Sequence, residues 1–248
     1  ELGAAAGDGV DNNCNGLIDE PGGLMVPVPQ HPGTWIDAYE ITVFANADCS
    51  GQRYGEAADD YPAGWPLAGV AEIELYACSL PDRLPSGHLS WHRARRACEA
   101  QGKRLCHSDE YVLTCNDAQG TWYPWGAHLI PGVCNDPVGG AGHKVATGSY
   151  PECTAGNGAY DLCGNMAEWV ENWNDYFPGW SCLIGWSYAC EFILDDASIV
   201  SCAEAGDEQL RYQDKIYNCD INRSYSFESY PRDRALPYFG TRCCYDSP

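Results

Sequence analysis

The 248-residue chain carries 14 Lys and Arg against 35 Asp and Glu, a formal net charge of −21, which repels nucleic acid and anionic membrane surfaces unless metal ions bridge the contact. No apolar run reaches the roughly 18 residues a transmembrane helix needs, so no membrane span is expected. Fifteen scattered cysteines without a repeated Cys-x-x-Cys knuckle point to a disulfide-stapled protein of an oxidising compartment rather than to a zinc protein or a cytosolic enzyme. The odd count leaves at least one thiol unpaired, joined to another chain or chemically active. With 27 Gly and 16 Pro, long loops and short strands are expected in place of regular layers. The N-terminus shows no basic segment followed by an apolar one, so the expected form is a mature exported product.

In chain order, the first element is an acidic arm over residues 1–23, set apart from a single domain over 24–248. Within it, Asp11, Asn13 and Asn15 stand at alternate positions, followed by Gly16 for a sharp turn, the Leu17 carbonyl and Asp19. That is the ligand order of an EF-hand-like calcium loop, although Gly22 stands where the closing Glu is usual. An acidic arm of Asx turns is the alternative. The string also resembles Asp-Gly-x-Asp-Asn-x-Cys-x-Gly-x-x-Asp-Glu repeats of secreted bacterial proteins, which implies metal binding, secretion and a bacterial source.

Ser90 is placed to cap a helix whose apolar positions Trp91, Ala94, Ala97 and Cys98 follow helical spacing, with Gly102 ending it and Arg93, Arg95 and Arg96 on the wet side. His88 and His92 straddle that cap and are expected at the surface rather than on zinc. Cys134-Asn135-Asp136 offers oxygen donors, and the glycines that follow lack the Gly-Lys-Ser/Thr ending of a phosphate loop. In Gly158 to Asn172, Asp161 and Glu168 supply hard carboxylate oxygens, while Gly164 permits a turn that aims its own carbonyl and that of Met166 at one calcium ion. The simpler alternative makes Asp161 a turn cap and Trp169 core.

Together, Trp35 to Thr42, Pro85 to Cys115, Tyr160-Asp161-Leu162-Cys163-Gly164-Asn165-Met166-Ala167-Glu168-Trp169 and Phe239-Gly240-Thr241-Arg242-Cys243 resemble, in order, the landmarks of the formylglycine-generating enzyme (sulfatase-modifying factor) family. The resemblance implies an irregular, loop-rich, disulfide-stapled α+β fold related to C-type lectins. It also implies calcium held by Asp161, Gly164, Met166 and Glu168, a further calcium site begun by Asn135 and Asp136, and the bridges Cys98–Cys243 and Cys115–Cys219. Active members bind copper(I) through a Cys after Gly-Gly-Ser-Tyr/Trp and a second Cys five residues on, and oxidise a substrate cysteine with oxygen. Here Ser187 and Cys190 match the first half, which makes them the catalytic candidates if the oxidase chemistry survives, but Asp195 stands in the second position. A carboxylate is a hard, poor ligand for copper(I). Cys182 or Cys202 in that role is more often half of a plain disulfide.

The expected function is therefore that of a secreted, calcium-binding, non-catalytic domain acting in binding or extracellular assembly, including a homo-oligomer or fibre joined through the N-terminal arm. The alternatives are a divergent copper-dependent oxidase of exported proteins, and a calcium-dependent glycan binder lacking the Glu-Pro-Asn and Gln-Pro-Asp triplets of sugar-binding lectins.

Overall fold

The computed structural model describes residues 22–115, 123–125, 130–136, 139–173, 180–185, 187, 191–193, 199–201 and 228–247. Short strands predominate: β1 (Met25–Pro27), β2 (Thr34–Asp37), β3 (Ile41–Phe44), β4 (Arg53–Tyr54) and β5 (Tyr76–Ser79) precede helix α1 (Trp91–Ala100). Strand β6 (Arg104–Leu105) and helix α2 (Ser108–Cys115) follow, then β7 (Ala167–Trp173), β8 (Trp180–Ile184), β9 (Glu191–Ile193), β10 (Ile199–Ser201), β11 (Glu228–Pro231), β12 (Phe239–Thr241) and β13 (Cys243–Asp246). The long loops and short strands are those the composition implies, and the mostly-sheet, loop-rich fold with few helices is the irregular α+β architecture that the resemblance implies.

Strands far apart in sequence close the fold. One sheet has the order β1-β2-β13-β6 and a second β11-β8-β7-β12, so the last two strands of the chain each join a different sheet. Among the described residues there is also a third sheet, β4-β3-β5, and an antiparallel pair of β9 with β10. Gly22 and Gly23 are seated on this framework: Ser79 N donates to Gly22 O at 2.7 Å, and Gly23 pairs with Ser79.

Helix α1 forms where the sequence places it. The Ser90 hydroxyl accepts from Arg93 N at 3.1 Å, satisfying one of the free N–H groups of the first turn. Gly102, at φ +75°, donates to Glu99 O in the left-handed conformation that a side chain would disfavour. The buried face of α1, Trp91, Ala94, Ala97 and Cys98, packs into a core with Ile41, Val43, Trp65, Leu89, Leu105, Trp169 and Phe239. Trp169 and Trp91 satisfy their indole N–H groups on Leu89 O and Val170 O. The expectation of a wet Arg93 fails. It is buried, with Nε on Trp65 O and Nη1 on Asp59 at 2.8 Å, because the segment holding Asp59 to Trp65 folds over that side of the helix and supplies a counter-charge.

Cross-links tie the sheets to the helices. Cys98 bonds Cys243, as the resemblance implies, and Cys106–Cys244, Cys49–Cys78 and Cys134–Cys153 are added to it. Successive residues of a strand point to opposite faces, so Cys243 reaches α1 while Cys244 reaches a second core around Ile36, Tyr111, Tyr123 and Leu162. Cys115 is also disulfide-bonded; Cys219, its expected partner, lies outside the described residues. These bridges accord with an oxidising compartment. No helix among the described residues is long and apolar enough to cross a membrane.

Candidate functional site

The turn from Asp161 to Met166 owes its shape to three left-handed residues: Asp161 at φ +56°, Gly164 at +92° and Asn165 at +60°. At Gly164 no side chain fits, since a Cβ would lie 2.6 Å from Asn135 O. The close approach is used: Asn165 N donates to Asn135 O at 2.9 Å, and Asn135 Nδ2 donates to Asn165 Oδ1 at 3.0 Å. The two internal calcium candidates, Asn135–Asp136 and Asp161–Glu168, are thus one structural unit. Asn135 is otherwise committed, its Oδ1 accepting from Ala141 N and its Nδ2 also donating to His143 O. Asp136 Oδ1 accepts from Gly139 N.

Below this turn lies a buried acidic centre. Glu40, just before β3, accepts from Met166 N at 2.8 Å and from Asn165 Nδ2. Glu168, on β7, faces Arg242, whose Nε lies 2.9 and 3.1 Å from its two oxygens. The parallel pairing of β12 with β7, Thr241 opposite Trp169, delivers that arginine. Thr241 donates its hydroxyl to Trp169 O. Arg242 further donates to Asp37 O and Tyr160 O. Asp161 Oδ2 accepts from Gly148 N at 2.7 Å, and Oδ1 has no donor among the described residues. Glu40, Asp161 and Glu168 are each at most 1% exposed.

Charge does not balance here. Asp37 is matched by buried Lys103, but among the described residues Glu40, Asp161 and Glu168 face only the guanidinium of Arg242 and the ammonium of Lys144, which acts on Glu40. Burial and mutual repulsion push Glu40 well above the usual carboxylate range. Burial, opposed by the Gly148 N–H and Arg242, leaves Asp161 pushed up to about 6, and burial also raises Glu168 against the pull of Arg242. Buried carboxylates in excess of cations must take up protons or a metal. The donors, all hard oxygens with Asp161 Oδ1 uncommitted, fit calcium. Glu168 would share its carboxylate between that ion and Arg242.

Among the described residues, the tight grouping of three metal-type side chains lies elsewhere, at Cys106, Glu110 and Cys244. Two of these form a disulfide and Glu110 holds Arg104 through both oxygens, so the grouping is structural. Asp11, Asn13, Asn15, Leu17, Asp19, Cys190 and Asp195 lie outside the described residues. Ser187 is buried. The residue that sequence reasoning missed is Glu40, which lies in the link between β2 and β3 and takes its partners, Met166 and Asn165, from across the fold.

Lys144 flanks this unit, donating to Gly55 O at 2.9 Å. Burial lowers its ammonium from 10.5 to about 8. Below pH 8 the folded protein therefore bears a buried charge at a cost; between 8 and 10.5 it has released a proton that the unfolded chain keeps, and stability rises with pH. Relative to Lys144→Met, the wild type is expected to gain about 3 kcal/mol at most between pH 7.5 and 10.5 in urea denaturation. A flat difference would mean that Lys144 titrates as an ordinary lysine.

A model of the sulfatase-modifying factor enzyme 1-like domain matches residues 26–246. The inactive C-alpha-formylglycine-generating enzyme 2 of Bos taurus is 32% identical over 119 residues, covering 44% of this chain and 36% of that protein. The formylglycine-generating enzyme of Mus musculus is 31% identical over 101 residues, covering 36% and 27%. The chain thus aligns with about a third of the length of these relatives. The structure of PvdO from Pseudomonas aeruginosa superposes with a TM-score of 0.50 at 13% identity, over 91% of this chain and 92% of that one, a likeness of fold alone.

Proposed function

For this chain, which belongs to the sulfatase-modifying factor enzyme 1-like domain family, we propose a non-catalytic role: an exported, calcium-stabilised scaffold that acts by binding or extracellular assembly. The observation that carries this reading is Asp195, a hard oxygen ligand where the copper(I) mechanism needs a second soft thiolate. Cys182 aside, the described cysteines supply no substitute. Cys49, Cys78, Cys98, Cys106, Cys115, Cys134, Cys153, Cys243 and Cys244 are disulfide-bonded. Cys163 is a buried thiol pushed up to about 12 by burial and by the carboxylates of Asp136 and Glu168, far from the reactive thiolate range.

Calcium would be held by Asp161, the carbonyls of Gly164 and Met166, and Glu168, and separately by the arm residues Asp11 to Asp19. At the first site it would supply positive charge to a centre whose carboxylates outnumber its cations. The chain's own part is to hold those oxygens in one orientation through Asn165, Gly148 and Arg242. An arm carrying its own calcium loop and Cys14 suits linkage to another chain.

Copper(I) titration of the native, non-reduced protein against bathocuproine disulfonate tests the non-catalytic reading. The chelator is expected to keep all the copper. One equivalent withdrawn by the protein, and lost in Cys190→Ser, would restore the oxidase.

A further inference from the structure

A cleft of about 650 Å³ opens between the segment 69–75 and the outer side of α1, and no residue of the calcium turn lines it. Its size is that of a ligand pocket. Trp65 and Leu75 form its floor, and Arg96, Glu99 and Ala100 its helical wall. At its mouth stand two exposed aliphatic side chains, Val70 at 88% and Ile73 at 39%, set among polar lining residues.

Charge decides the kind of partner. Three carboxylates, Glu72, Glu74 and Glu99, face one cation, Arg96, in the lining. Arg96 is fixed in the wall by His92 O at 3.1 Å and Pro66 O at 2.9 Å. Glu74 accepts from the Tyr76 hydroxyl and Glu99 is paired with Arg95, while the Glu72 side chain, exposed, has no hydrogen bond or ion pair among the described residues. The cleft therefore joins two exposed aliphatic side chains to an uncompensated carboxylate. A side chain with an aliphatic stem and a cationic tip is complementary to both.

We propose that this cleft docks a lysine-bearing or arginine-bearing peptide segment of a protein partner, its stem against Val70 and Ile73 and its cation at Glu72. This rests on the binding reading above and names the partner's chemistry. The net charge of −21 assists the encounter by attracting basic partners.

The test is fluorescence anisotropy with a fluorescein-labelled acetyl-Gly-Lys-Gly-Lys-Gly-amide peptide and its norleucine counterpart. The lysine peptide is expected to bind about tenfold more tightly than the norleucine one. Glu72→Gln is expected to weaken it about fivefold and Val70→Ser about threefold, with Glu152→Gln, an exposed acid outside the cleft lining, changing it by less than about twofold. Equal losses in Glu72→Gln and Glu152→Gln would reduce the effect to overall charge and overturn the proposal. So would equal binding of the two peptides, or no binding of the lysine peptide at about 1 mM. None of these outcomes alters the copper titration, so the failure of this site and the failure of the non-catalytic reading are separable.

Discussion

Replacing Arg242 with Met is expected to remove about 3–5 kcal/mol of stability, the usual cost of stripping one partner from a buried ion pair. The guanidinium is 1% exposed and serves four acceptors: both oxygens of Glu168, Asp37 O and Tyr160 O. Without it, Glu168 keeps its burial and gains no cation, while Glu40 and Asp161 continue to repel it. Against the 5–15 kcal/mol that holds a domain together, such a loss is a large share. Adding Glu168→Gln to Arg242→Met should recover part of it, because an amide tolerates burial better than an unpaired carboxylate. Urea denaturation of the two variants checks this. A single variant within about 1 kcal/mol of wild type would show that the pair does not hold the centre together.

The second large effect is non-additive loss of cross-links. Cys98–Cys243 spans 145 residues and Cys106–Cys244 spans 138, so the two bridges close almost the same loop. With one present, the other confines only the short path between Cys98 and Cys106. Loop entropy then makes removal of either pair cost about 3 kcal/mol, and removal of the surviving pair about 5 kcal/mol more. The variant lacking all four cysteines is expected to be unfolded at 37 °C, and each double-alanine variant folded, by near-ultraviolet circular dichroism. Equal, additive losses would mean that the bridges act through local packing and not through the shared loop.

What the sequence makes legible is local or carried by motif order. Ser90 and Gly102 delimit α1 because capping depends on neighbours within a turn, and Gly164 announces a conformation that few other residues adopt. Cys98–Cys243 follows from the family resemblance. Long-range partners are what stay hidden. Glu40 acquires its role from Asn165 and Met166, more than 120 residues away, and Arg93 is buried because Asp59 reaches it across a loop of irregular backbone. The pairing of Glu168 with Arg242 is likewise set by a parallel strand register that no periodicity encodes. Cys106–Cys244 depends on the second of two adjacent cysteines facing the opposite side of β13, a choice visible only once β2 and β6 flank that strand.

The measurement that tests the account most directly is calcium titration by calorimetry and thermal denaturation of the chelator-stripped protein, alongside Asp161→Asn. Asn tolerates the left-handed backbone at this position, so the variant keeps the turn while losing the charge. The account predicts that calcium raises the melting temperature of the wild type and that Asp161→Asn binds one ion fewer and loses most of that rise. Identical melting temperatures with and without calcium, or an unchanged stoichiometry in Asp161→Asn, would contradict it and leave the buried carboxylates to be held by protons and Arg242 alone.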